Sequence, residues 1–331
     1  MSWMIEMFNG KIGFDCASIN EMETTRRVSR ASDIIYAQPC KTSYDIQQAK
    51  RYNVSATVID SPEEMEKVGK GNWQTDIYIR LLVPDDKSKQ PFSKKFGAPV
   101  SWVPEILTLA KHYKMRVKGL SFHVGSECEN PDQFARALKV CREAMDIGVN
   151  HDTNMDTIDI GGGFLPTEHN LSMVAKAIEE SRTKYFPNDI SPSGKNIRWI
   201  AEPGRFLSST SQILFTPVIG RKRGIPSSDP DAPEYRYTLN ESVYGYFSNV
   251  PFDGQKPRID LAYSVAKNPK SLFRSILFGR TCDGADVISP NVNLPLLDEG
   301  DWLKIEQMGA YTNVTASEFN GFPKPEVLYL K

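Results

Sequence analysis

Asp156-Thr157-Ile158-Asp159-Ile160-Gly161-Gly162-Gly163-Phe164 is the stretch on which the fold of this chain turns. A short apolar run ends in three glycines, and a helix-like segment follows after Pro166. Glycine lets backbone N–H groups approach an anion with no Cβ in the way, so such a strand end suits a phosphate. A glycine triplet by itself also serves flexible turns. A second anion-suited stretch, Ala201-Glu202-Pro203-Gly204-Arg205, follows the mostly apolar run from Ile197 to Ile200. Its carboxylate and guanidinium, separated by Pro-Gly, can meet two ends of one ligand. Two such stretches at successive strand ends suggest one phosphate-bearing cofactor.

Upstream of the glycines the chain alternates. Gly13 to Ser18 reads as a strand end running into a helix, with Ser18 or Asn20 as N-cap. Strands are expected at Ile34–Tyr36, Ala56–Ile59, Asp76–Leu82 and Val117–Phe122. Helices are expected over Ser43–Arg51, from Ser61-Pro62-Glu63-Glu64 onward, over Val103–Tyr113 and over Asp132–Met145. The polar run Pro84 to Gln90 reads as a loop. After the glycines come a helix from about Ser172 to Lys184, a loop from Phe186 to Asn196 and the Trp199 strand. Seven strands, most followed by a helix, mean a parallel sheet and suggest a (β/α)8 barrel. Beyond Arg205 the rhythm changes to strand-like runs at Ile213–Ile219, Tyr235–Leu239, Ser275–Phe278, Trp302–Glu306 and Val327–Leu330. The expected division is a barrel domain over 1–205 and a β-rich domain over 206–331.

Bulk properties exclude several function classes. Lys and Arg number 40 against 41 Asp and Glu, so no net field favours nucleic acid or an anionic membrane. No run of 18 apolar residues exists, and the N-terminus lacks the layout of a signal peptide, so the expected compartment is the cytoplasm. Five cysteines without paired spacing argue against a disulfide framework or an all-cysteine zinc site. The four histidines show no metal-ligand spacing.

Eight runs, in order along nearly the whole chain, carry a family resemblance. They are Gly13-Phe14-Asp15-Cys16-Ala17-Ser18, Tyr36-Ala37-Gln38-Pro39-Cys40-Lys41, Ser121-Phe122-His123-Val124-Gly125-Ser126, Asp159-Ile160-Gly161-Gly162-Gly163-Phe164, Ala201-Glu202-Pro203-Gly204-Arg205, Thr281-Cys282-Asp283-Gly284, Gly309-Ala310-Tyr311-Thr312 and Phe319-Asn320-Gly321-Phe322. With them the chain resembles the eukaryotic ornithine decarboxylases, of the alanine-racemase-like group of pyridoxal-phosphate enzymes. The resemblance implies decarboxylation of a basic amino acid, L-ornithine to putrescine, with pyridoxal 5'-phosphate as cofactor. It implies that Gly161, Gly162 and Gly163, with Ser126, Arg205 and Tyr311, hold the cofactor phosphate. It implies that Glu202 pairs with the pyridine nitrogen, His123 stacks on the ring, Arg80 faces the phenolic oxygen and Asp15 lies on the aldehyde side. On the substrate side it implies that Cys282 returns a proton to the product carbon and that Asp253 and Asp283 bind the distal ammonium. Phe319 lines the substrate pocket by the same implication. The family's working form is a homodimer with shared active sites, and Lys95 and Asp286 stand where it forms an interface ion pair.

The departures from the family pattern are specific. The family carries its cofactor-bearing lysine in an Ala-Val-Lys-Cys-Asn type run upstream of the Phe-Asp-Cys-Ala-Ser run, and nothing before Gly13 resembles it, so the resemblance implies a barrel whose first strand–helix unit is missing. Phe252-Asp253-Gly254 stands where the family has Tyr-Asp-His, and Arg280 stands where it has proline, setting a cation beside the proposed acid Cys282. These features raise two alternatives to an ornithine decarboxylase. One is a catalytically dead regulator of the antizyme-inhibitor kind, binding an antizyme-like partner. The other is a paralogue acting on another basic amino acid.

Overall fold

The structure is a computed structural model describing residues 8–9, 11–30, 34–229, 231–264 and 271–330. It divides into two compact units, Met1–Pro203 and Gly204–Lys331. Most of the first eleven residues lie outside the described set.

In the first unit seven parallel strands form one sheet, and their spatial order is their chain order. They are β1 (Phe14–Cys16), β2 (Ile34–Tyr36), β3 (Ala56–Ile59), β4 (Asp76–Arg80), β6 (Arg116–Ser121), β8 (Thr157–Asp159) and β9 (Arg198–Ile200). This is the strand sequence of a (β/α)8 barrel, with seven strands in the sheet among the described residues. Helices connect them, and side-chain caps start the first three. Ser18, Thr42 and Ser61 accept hydrogen bonds from the backbone N–H of Glu21, Asp45 and Glu64 at 3.2, 3.1 and 3.1 Å. These bonds satisfy amides that an unclosed first turn leaves orphaned. The helix faces turned to the sheet are apolar, as with Phe134, Ala137, Leu138 and Cys141 on the helix Asp132–Asn150, all fully buried. On the sheet, Ala56, Val58 and Tyr78 pack with Ile35 and Ala37.

Register sets the site. Arg80 pairs with Ser121, Ser121 with Asp159, and Asp159 with Ile200, so four strand ends stand in one row. Residues just beyond that row, His123, Gly161 and Glu202, therefore emerge on the same side of the sheet.

One two-stranded sheet lies outside these expectations. β5 (Ser88–Gln90), inside the run read as a loop, pairs antiparallel with β7 (Ser126–Cys128). Its residues are polar because only two strands meet there and no core demands alternation.

The second unit holds a six-stranded sheet in the order β12-β15-β10-β11-β13-β14. The strands are β10 (Leu214–Arg223), β11 (Tyr235–Leu239), β12 (Ile259–Tyr263), β13 (Leu272–Phe278), β14 (Val287–Pro295) and β15 (Trp302–Ile305). Leu214, Tyr237, Phe247, Leu277, Leu303 and Ile305 belong to its single core. β14 carries Pro290 and Pro295, which argue against a strand in sequence. It stands at the sheet edge, where a missing N–H costs no ladder bond. The strand expected at Val327–Leu330 does not form. Leu328, Tyr329 and Leu330 stay exposed and belong to no sheet.

Candidate active site

The glycine triplet is a turn that admits no side chain. A Cβ on Gly161 would lie 2.1 Å from the Phe122 carbonyl oxygen, and its φ is +62°. On Gly162 it would lie 2.7 Å from the Glu202 carbonyl oxygen and 2.9 Å from His123 Nε2. On Gly163 it would lie 2.4 Å from the Gly125 carbonyl oxygen, with φ +98°. The turn is pinned from both sides. Gly161 N–H donates to Asp159 Oδ1 at 2.9 Å, and Glu202 N–H donates to the Gly161 carbonyl at 2.8 Å. Among the described residues the amides of Gly162, Gly163 and Phe164 have no hydrogen-bond acceptor. Three consecutive amides around a glycine turn form a concavity suited to phosphate oxygens. Ser126 is buried at the start of β7.

Beside this turn three carboxyl groups meet. Glu202, half-buried, lies within hydrogen-bonding reach of both Asp159 and Asp15. Burial first, then the charges of Asp159 and Asp15, push Glu202 well above the ordinary carboxyl range. Asp159 is only 1% exposed, and burial raises it too, against the Gly161 N–H, Glu202 and the arginines Arg80 and Arg198. Loss of hydration, then the charges of Asp159 and Glu21, move Asp15 upward, against Arg80 and a hydrogen bond with Glu202.

An aromatic wall completes the cluster. His123 Nδ1 accepts from Gly125 N–H at 3.1 Å, so the neutral ring carries its proton on Nε2, toward Gly162. Burial and then Arg80 press the imidazole down to about 3, and it stays uncharged near neutrality. Phe92 lies 4.8 Å from the His123 ring, and the Arg80 guanidinium sits 4.7 Å from the Phe96 ring. The unit thus offers a flat neutral imidazole, an anion turn and a carboxyl able to hold a proton. That set fits a phosphorylated heteroaromatic ring.

In the second unit the expected residues fall into two groups. Arg205 Nη2 donates to Asp253 Oδ2 at 2.6 Å, and its guanidinium lies 4.8 Å from the Tyr311 ring. Asp283 accepts from Tyr244 Oη and from Ala285 N–H at 3.0 Å. The Ala285 N–H, then the Tyr244 hydroxyl, hold Asp283 low, so it remains a carboxylate. Phe319 packs on Tyr244 with ring centroids 4.4 Å apart, and Cys282 Sγ donates to Asn320 Oδ1 at 3.4 Å. Within one chain, Asp253 and Asp283 have different partners.

Two residues singled out in sequence have partners within the second unit. Arg280 donates to the Pro323 carbonyl at 2.8 Å and lies 4.6 Å from the Phe322 ring. Asp286 is buried, accepting from Val243 N–H at 2.9 Å and Thr281 Oγ1 at 2.6 Å.

Sequence reasoning passed over Asp159, Tyr244 and Asn320 as site residues. Asp159 had a usable signal, since Asp-x-Gly favours a side-chain-to-backbone turn. Tyr244 and Asn320 had none. Among the described residues no cluster of three His, Cys, Asp or Glu side chains could hold a metal, and no helix is long and apolar enough to cross a membrane.

Comparison with known proteins agrees with this chemistry. The family model described as pyridoxal-dependent decarboxylase, pyridoxal binding domain, matches residues 3–209. An ornithine decarboxylase of Panagrellus redivivus is 37% identical over 330 residues, covering 96% of this chain and 74% of its own length. Antizyme inhibitor 2 of Xenopus laevis is 35% identical, covering 96% of this chain and 70% of its own. The agmatine-bound arginine decarboxylase of Paramecium bursaria Chlorella virus superposes with a TM-score of 0.86 at 35% identity, over 95% of this chain and 83% of that one. The anion turn, the proton-holding carboxyl cluster and these matches together show that the chain belongs to the pyridoxal-dependent decarboxylases, whose cofactor is pyridoxal 5'-phosphate.

Proposed function

We propose that this chain serves decarboxylation of a basic amino acid, with L-ornithine as substrate and putrescine as product. The observation that carries the reading is the Glu202 carboxyl, held at the edge of the glycine turn by Asp159 and Asp15. The cofactor, when bound, supplies a pyridinium ring that accepts the electron pair left by departing CO2. The residues supply the rest. Glu202 keeps a proton at the ring nitrogen, His123 covers the ring face and keeps water from it, and Arg80 faces the ring oxygen. The Gly162, Gly163 and Phe164 amides and Ser126 hold phosphate oxygens, the Gly161 N–H being taken by Asp159. In the second unit Asp283, a carboxylate braced by Tyr244, suits a compact ammonium, and the Cys282 thiol is our candidate for the proton given to the product carbon. The same reading makes the working assembly a homodimer in the cytoplasm.

The 331 residues contain no Ala-Val-Lys-Cys-Asn type run, and Arg80 and Arg198 are among the cations acting on the carboxyl cluster. A second reading follows, supported by the antizyme-inhibitor relative: a regulator that binds an antizyme-like partner without turnover. CO2 release from ornithine, lysine and arginine decides between them. Residues 1–331 alone should release little, whereas the chain extended by a strand bearing that lysine should release CO2 from ornithine fastest. Faster release from lysine or arginine would reassign the substrate. An extended chain that binds cofactor and decarboxylates none of the three would be the regulator.

A further inference from the structure

We infer that Gln133 is the positioning residue behind His123: through Ser88 it fixes the Val124–Gly125 peptide plane, and that plane sets the imidazole's tautomer and angle. Gln133 lies in the first turn of the helix Asp132–Asn150 and is 0% exposed. A buried amide is costly unless each polar atom finds a partner, and here each does. Oε1 accepts the Lys87 N–H at 2.7 Å. Nε2 donates to Ser88 Oγ at 2.9 Å and to Cys128 Sγ at 3.2 Å, with the Val124 carbonyl at 3.4 Å. The reversed amide would set N–H against the Lys87 N–H and oxygen against the Val124 carbonyl, so its direction is fixed by chemistry. Ser88 receives the Gln133 amide on its oxygen and gives its hydroxyl proton to the Val124 carbonyl at 2.5 Å.

That carbonyl and the Gly125 N–H belong to one planar peptide unit. Its oxygen is held by Ser88 and Gln133, and its N–H donates to His123 Nδ1 at 3.1 Å, which leaves the ring proton on Nε2. The turn is pressed close to β5, because a Cβ on Gly125 would lie 2.8 Å from Ser88 Cβ and 2.7 Å from the Gln90 carbonyl oxygen. Rotating the plane would withdraw the donor from Nδ1. The Cys128 contact ties the same amide to the glycine turn, since Cys128 N–H donates to the Gly163 carbonyl at 3.0 Å. Gln133 thus acts through His123 and the turn beside it. The consequence for the cofactor rests on the reading above, in which His123 covers the ring face.

The test is made first without ligand, on residues 1–331 with nitrogen-labelled histidine. Long-range proton–nitrogen spectra report which ring nitrogen carries the proton, and the signal lost in His123→Gln assigns it. Wild type should show a single tautomer, protonated on Nε2. Gln133→Met keeps length and burial but removes the amide, and it should shift the His123 Nδ1 resonance and bring in the second tautomer. Ser88→Ala breaks the relay with Gln133 in place and should act in the same direction; it decides the matter if Gln133→Met does not fold. Leu138→Ala, a buried change on the same helix, should lower stability and leave the His123 signals in place. Signals that stay put in folded Gln133→Met or in Ser88→Ala, or that move as far in Leu138→Ala, would overturn the inference. Calorimetry with 4'-deoxypyridoxine 5'-phosphate, which has no aldehyde and so needs no lysine, reads the consequence. Gln133→Met should bind it about tenfold more weakly than Leu138→Ala, as when a group supporting a ligand contact is lost. Equal affinities would overturn the link to the cofactor site. Absence of binding in every protein would count against the cofactor reading, and the ligand-free spectra would still decide the role of Gln133.

Discussion

Arg205 and Asp253 form a short, largely shielded ion pair, Nη2 to Oδ2 at 2.6 Å, with the two side chains 8% and 12% exposed. Gln255 Nε2 adds a bond to the same carboxylate oxygen at 3.1 Å. Removing one partner would leave the other charged and poorly solvated. Asp253→Ala should therefore destabilise the chain by about 3–5 kcal/mol, and pairing it with Arg205→Met should recover much of that loss. Urea unfolding of the two single variants and the double variant measures the coupling, and simple additivity would refute it.

The glycine turn allows a matched comparison. Gly161→Ala would set a Cβ 2.1 Å from backbone oxygen at a φ of +62°, whereas a Cβ on Gly204 would meet nothing within 4 Å. The first should cost at least about 2 kcal/mol and weaken phosphate binding, and the second should stay within about 0.5 kcal/mol. Equal unfolding midpoints for the two variants would contradict the turn geometry.

His123 should stay neutral across the physiological range, because burial and Arg80 depress it to about 3. The folded protein then binds fewer protons at this site than the unfolded chain between about pH 3 and 6.5. Its contribution is complete above about 6.5 and is lost as the pH falls toward 3. Imidazole NMR resonances of the folded protein should show an Nε2–H tautomer with no titration from about pH 5 to 8. A midpoint near the ordinary value would refute this.

The carboxyl cluster acts in the opposite sense. Glu202 and Asp159 are raised in the fold, so the folded protein holds more protons than the unfolded chain above the ordinary carboxyl range. Stability from this source is full at pH values below about 4 and falls as pH rises through the folded values. In ligand-free protein, Asp159→Asn should flatten that decline in a series of melting temperatures against pH. An unchanged slope would sink the prediction.

Lysine accessibility gives one more test. Lys41 is buried, with Nζ 2.8 Å from the Val58 carbonyl and 3.1 Å from Glu64 Oε1, so it is committed away from any aldehyde. Residues 1–331 loaded with pyridoxal 5'-phosphate and treated with borohydride should yield no modified lysine by peptide mass spectrometry. An adduct at Lys41 or at any other lysine would show that this chain supplies its own covalent anchor.

Much of the architecture was legible in the chain because its causes are local. Alternating apolar runs, N-caps at Ser18 and Ser61 and the glycine triplet each act within a few residues, and the parallel sheet follows from their rhythm. β14 was hidden because its prolines are tolerated only at a sheet edge, and edge position is a property of the whole sheet. The same distinction runs through the site. The sequence by itself determined which residue types could hold phosphate, ring nitrogen and ammonium, and the order in which strand ends would present them. Only the tertiary structure decided their partners: Asp159 with Glu202, Arg205 with Asp253, Tyr244 with Asp283, and Arg280 turned toward Pro323. Those pairings depend on strand register and side-chain direction, and both are set by packing between segments far apart in the chain.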